Sequence, residues 1–151
     1  TAQNGIPPAT NYATRDVRGI FPVLDFDNTT SESIYFVGVM PQQYQNNGMT
    51  AYVYFTSDAT SGNVDWDLSF DRVASADLDI DGNSFAFTSS SNDNDVSGTS
   101  GVITIATFSI GNGIASNNLV AGDMFMVKLT RDVADTAAGD ANFLSLELRG
   151  Q

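Results

Sequence analysis

The sequence predicts an all-β domain: an antiparallel β-sandwich of about eight strands, jelly-roll-like, with an extended N-terminal arm. Three observations predict it. In residues 64–71, Val64, Trp66, Leu68 and Phe70 alternate with Asp65, Asp67, Ser69 and Asp71. That period of two gives a strand one buried and one wet face. Second, 16 of the 18 acidic residues are Asp and only Glu32 and Glu147 are Glu; Asp favours turns, whereas Glu is a helix former. Third, Gly, Asn, Asp and Ser clusters separate short apolar runs through most of the chain, less regularly between Val73 and Gly101. The 151 residues fit one domain, long enough to bury roughly 70% of the surface its unfolded chain exposes.

Each element has its own warrant. Residues 1–19 carry Pro7 and Pro8 and no strand or helix period, with Arg15 and Arg18 against a single acid, Asp16. This net-positive stretch on a negative protein is expected to be an extended arm, with the sandwich spanning residues 20–151. Ile20 to Phe26 is apolar but contains Pro22, so it is expected at a sheet edge. Ser33 to Met40 is almost continuously apolar, which predicts burial on both faces. In 49–57, Met49, Ala51, Val53 and Phe55 face one way and Thr50, Tyr52, Tyr54 and Thr56 the other. Val64 to Phe70 is the clearest strand. A short strand is expected around Phe85 and Phe87, then an exposed polar loop over 89–101. Val102 to Ile110 is β-branched. Phe125, Val127 and Leu129 are expected inward within 124–130, and Leu144, Leu146 and Leu148 share one face of the last strand. No internal repeat of fixed period is present.

The formal charge is -12, with 18 acidic and 6 basic residues. Nucleic acid and anionic membrane would both be repelled. Neither Cys nor His is present, which removes disulfides, thiolate metal sites, a Cys nucleophile and the usual general base. No apolar run approaches the ~18 residues of a membrane span. Residues 1–19 lack the basic start and apolar core of a signal peptide. No Gly-rich phosphate loop opens a helix, and no cofactor is expected.

Asp77, Asp79, Asp81 and Gly82 copy the opening of an EF-hand calcium loop, but its twelfth position is Thr88 and not Glu. A looser calcium site and a solvated acidic turn both fit, and the turn explains the glycine more simply. Carboxylate pairs recur at Asp25 and Asp27, Asp65 and Asp67, and Asp132 and Asp135. Glycosidase chemistry needs two carboxyls in one cleft with one pKa raised by burial; Asp65 and Asp67 are expected on a wet face, where nothing shifts them. A Ser–Lys dyad would depend on Lys128, the only lysine, in mid-strand. Enzyme function is therefore not expected. Tyr52 and Tyr54 share a strand face, where they form either a carbohydrate platform or a packing and subunit interface. Trp66 is expected in the core.

Several stretches, V-L-D-F-D-N-T-T-S-E-S (23–33), V-M-P-Q-Q-Y (39–44), T-S-G-N-V-D-W-D-L-S-F (60–70), A-G-D-M-F-M-V-K-L-T-R-D (121–132) and A-G-D-A (138–141), resemble structural proteins of tailed-bacteriophage virions. The resemblance covers most of residues 20–149 and points to capsid decoration or cement proteins. It implies a structural part on the outer capsid surface of the virion, a homotrimer, and a major capsid protein or other virion protein as partner. Tyr12, Arg15 and Arg18 of the arm are the expected docking residues. The alternative is a carbohydrate- or receptor-binding module of a tail fibre or collar, using Tyr52 and Tyr54.

Overall fold

Nine strands form among the described residues of the computed structural model, namely 1–73, 81, 85, 87–91, 94–112 and 118–151. They are β1 (Thr14–Arg18), β2 (Phe21–Phe26), β3 (Glu32–Val39), β4 (Met49–Ser57), β5 (Asp65–Val73), β6 (Phe87–Ser91), β7 (Thr104–Ile110), β8 (Met124–Asp132) and β9 (Ala141–Gly150). Strands β2–β9 answer to the eight expected from the pattern. They build a five-stranded sheet, β1-β2-β9-β4-β7, and a four-stranded sheet, β3-β8-β5-β6. All neighbours are antiparallel. From β2 onward every connection except β5 to β6 crosses between sheets, which is jelly-roll connectivity.

The core lies between the sheets. Met49, Ala51, Val53 and Phe55 face inward from β4 as their alternation predicts, and Trp66, Leu68 and Phe70 do so from β5. Trp66 stands edge-on to Phe26 at 4.9 Å and to Phe55 at 5.4 Å, so one indole touches rings from two strands of the opposite sheet. Such edge-to-face contacts add to the area term of burial.

The largest departure from expectation is the first nineteen residues. Thr14–Arg18 is not an extended arm but the edge strand of the five-stranded sheet, paired with β2 from Thr14↔Asp25 to Arg18↔Phe21. Ahead of it, Ala2 and Ala13 are buried. Ile6 exchanges backbone hydrogen bonds with Tyr35 (2.8 and 2.9 Å), and the Ser33 amide donates to the Asn11 carbonyl (2.9 Å). The segment thus closes the side of the sandwich where β2 and β3 meet. Its polar composition hid this, because backbone pairing needs no apolar period.

Three smaller differences have physical reasons. Pro22 does not mark an edge strand, since β1 occupies the edge; Pro22 opposes Val17, in a stretch that β9 has not yet joined. β3 is not buried on both faces: it is an edge strand, and Val37 and Val39 are exposed. In the 89–101 loop, Ser89–Ser91 belongs to β6, and Asn94 and Val96 are buried, with the Asn94 side-chain amide donating to the Val64 carbonyl at 3.3 Å.

Candidate functional site

β4 and β9 are adjacent in the middle of the five-stranded sheet, and their outward side chains make one face. The register sets three rows: Arg149, Thr50 and Ser109; Glu147, Tyr52 and Thr107; Ser145, Tyr54 and Ile105. Tyr52 and Tyr54 are two residues apart on one strand, so the rings rise about 6.8 Å from each other along it. Both are half-buried. Their positions match the sequence expectation.

Glu147 and Arg149 were not expected, and they complete the face. The Tyr54 hydroxyl donates to Glu147 Oε2 at 3.1 Å, and Arg149 Nε donates to Glu147 Oε1 at 2.9 Å. The Arg149 guanidinium also lies 4.9 Å from the Tyr52 ring centroid, within cation–π reach. Arg149, followed by the Tyr54 hydrogen bond, holds the Glu147 carboxyl below its ordinary pKa. The hydrogen bond to Glu147 raises that of the Tyr54 phenol. At neutral pH the face therefore presents an ionised carboxylate bonded to a guanidinium and to the Tyr54 phenol, with the Tyr52 ring against the guanidinium. At its far end the Gln151 amide donates to Thr50 Oγ1 at 3.0 Å.

A β-bulge shapes one border. The register slips between Tyr54/Ser145 and Phe55/Phe143. Leu144 is thereby put out of phase with Leu146 and Leu148, which face the core together with Phe143. The last strand's expected Leu144–Leu146–Leu148 face is corrected accordingly: Leu144 borders a depression of about 350 Å³ that Tyr54 and Ser145 also line.

The expected docking residues separate. Arg18 is turned onto the protein itself: it pairs with Asp58 at 2.6 Å, donates to Ser100 Oγ at 2.6 Å and hydrogen-bonds the Asn142 side chain. It anchors the β1–β2 hairpin and is not a free docking charge. Arg15 is exposed. Tyr12 is 44% exposed and bridges to Ser33 on the β3 edge. None of the three adjoins Tyr52 or Tyr54 in the sheet register.

The carboxylates also sort themselves. Asp135 is buried and paired with buried Arg131 at 2.8 Å. Asp65 departs from expectation: its pKa is raised to about 6, by desolvation first and then by Asp67, Asp132 and Asp135. Asp132 sits directly across the ladder from Asp65, a like-charge pair the sequence did not show. The Asp65 carboxyl holds its proton more tightly folded than unfolded. Its contribution to stability is thus complete below pH ~4 and lost as pH rises through about 6. Asp65→Asn is expected to stabilise the protein at pH ~7.5 by about 1 kcal/mol, allowing for solvent screening. Thermal melts should show that gain shrinking to nothing at pH ~3; a gain independent of pH would refute this origin.

Of the calcium-like loop, Asp81 is exposed, while Asp77, Asp79 and Gly82 lie outside the described residues. Among the described residues no group of three acids is arranged to hold a metal ion.

No family model matches the chain, and no curated protein matches it in sequence. Solved structures do share its architecture. One is a family 35 carbohydrate-binding module from an environmental isolate, at 17% identity and a TM-score of 0.51 over 98% of this chain and 84% of that one. Another is a CBM4 structure, at 10% identity and a TM-score of 0.45 over 91% and 76%. The first likeness shows a common β-sandwich fold.

Proposed function

We propose that this chain is a carbohydrate-binding module whose ligand lies across the outer face of the five-stranded sheet. The observation that carries the proposal is the Tyr52–Tyr54 pair, held beside Glu147 and Arg149 and bordered by Thr50, Thr107 and Ser109. A pyranose has an apolar C–H face and a rim of hydroxyls. Aromatic rings suit the first; a carboxylate and a guanidinium suit the second, because charge-assisted hydrogen bonds are the stronger kind. These groups are already connected without ligand, so little ordering cost remains on binding. Resemblance in fold to a family 35 carbohydrate-binding module supports the reading. Binding, not hydrolysis, is the expected outcome. The test is titration of the protein and its Tyr52→Ala variant with a glycan panel, with reducing-end release followed in parallel. A silent wild type, or a variant that binds as well, would sink the proposal.

A second reading keeps the virion setting: a structural protein that binds a capsid shell as an oligomer, with the glycan face turned outward. The exposed apolar tip of the β1–β2 hairpin favours it, since Val17 is 62% and Ile20 88% exposed, and apolar side chains grouped at a tip are typical of covered surfaces. Substituting Val17→Ser and Ile20→Ser should weaken co-sedimentation with phage capsids at least tenfold and shift any trimer to monomer. Undiminished binding would remove this reading.

A further inference from the structure

The depression beside Tyr54 has a chemistry distinct from the rest of the face. Phe21, Pro22, Ile103 and Leu144 supply its apolar wall, the first turn adds Thr1 and Gln3, and every side chain that lines it is uncharged. Phe21 is 60% and Ile103 58% exposed, so large apolar groups stand open next to the tyrosine row. Three features build it. β2 pairs with β9 only at Leu24, Asp25 and Phe26, so Phe21 and Pro22 stand clear of the β9 ladder. The bulge puts Leu144 out of phase with the inward leucines. Arg18, tied to Asp58, Ser100 and Asn142, holds the hairpin that carries Phe21. The Phe21 and Leu144 walls are thus set by anchored strands.

Resting on the glycan-binding reading, we infer that this depression is a subsite for a neutral sugar residue bearing a methyl-carrying group, an N-acetyl or a 6-deoxy carbon. A volume of about 350 Å³ suits one such unit. An anionic sugar would meet no cationic side chain there, and a free amino sugar no carboxylate. A plain hexose would set its hydroxymethyl group against Phe21 and Ile103, where a hydroxyl loses water without gaining a partner. A methyl group gains from the same contact. The Ser145 hydroxyl at the border offers a hydrogen bond to the remaining polar groups.

Matched pairs test this. Chitotetraose against cellotetraose differs in the N-acetyl group, and methyl α-L-rhamnoside against methyl α-L-mannoside in the 6-deoxy carbon. Isothermal titration of the intact chain should favour the methyl-bearing member of at least one pair by about fivefold or more. Which pair discriminates identifies the group. Phe21→Ser and Ile103→Ser, both at exposed positions, should bring the ratio towards one while retaining binding of the plain member. Tyr52→Ala should weaken both members together. Equal affinity within both pairs overturns the subsite and leaves the tyrosine face standing. Silence towards all four ligands overturns the subsite and counts against the glycan reading itself. A concentration-dependent dimer abolished by Phe21→Ser would assign the depression to a second copy and also overturn the subsite.

Discussion

On the proposed carbohydrate-binding reading, glycan affinity is expected to fall by about 100-fold or more in the double variant Tyr52→Ala, Tyr54→Ala, while the melting temperature moves little. The magnitude follows from what each ring does. An aromatic contact contributes roughly 0.5–1.5 kcal/mol beyond the area it buries, and the buried area adds about 25 cal/mol for each Å². Two rings together therefore account for about 3 kcal/mol, or roughly a hundredfold. The fold tolerates the change because both side chains point away from the core residues Val53 and Phe55. Single variants separate the roles. Tyr54→Phe keeps the ring but removes the donor to Glu147, so it should cost less than Tyr54→Ala. Titration calorimetry beside thermal melts checks all three; a collapse of stability in the double variant would show that the tyrosines are structural.

Arg131→Ala should cost about 3–5 kcal/mol of stability, a fall of roughly 10 °C or more in melting temperature for a domain of this size. Arg131 is fully buried in the core. Besides its ion pair with Asp135, it donates to the carbonyls of Phe26 (2.9 Å), Ala137 (3.2 Å) and Gly139 (2.9 Å). One side chain thereby joins β8 to β2 in the opposite sheet and to the connection before β9. Removing it leaves a buried carboxylate and three carbonyls to find other partners. Arg131→Met restores volume but not those bonds, so it should rescue little. Adding Asp135→Ala to Arg131→Met removes the stranded charge and should recover part of the loss. Urea unfolding of wild type, Arg131→Met, Asp135→Ala and the double variant measures the coupling; a loss below about 1 kcal/mol in Arg131→Ala would contradict the structural role.

Arg131 also shows where the sequence was legible and where it was not. The parity of Phe125, Val127 and Leu129 places residue 131 on the inward face, so the pattern did carry the signal. Reading charge as outward concealed it. Glu147 and Arg149 were likewise fixed by parity opposite Leu146 and Leu148, but nothing local says that β9 lies beside β4. Strand adjacency is a long-range property, and only it brings those charges to Tyr52 and Tyr54. The bulge at Leu144 is hidden for a similar reason, since it is defined by the partner strand's register. By contrast, β4 and β5 could be read from alternation alone, because each has a well-buried inner face. β1 could not, since four of its five residues are exposed.

β9 lies between β2 and β4, and it is made after both. During synthesis at ~5–20 residues per second, the hundred or so residues from Met49 to Gly150 take about 5–20 s to emerge. Throughout that interval β4 lacks a central neighbour, and the face bearing the tyrosines does not exist. The nascent chain must hold Ala51, Val53 and Phe55 on an unpaired edge until the final strand slots in, which exposes it to mispairing with other chains. Surface assembly and ribosomal timing are therefore linked: the strand that completes the tyrosine-bearing face is also the one that relieves the unpaired edge of β4.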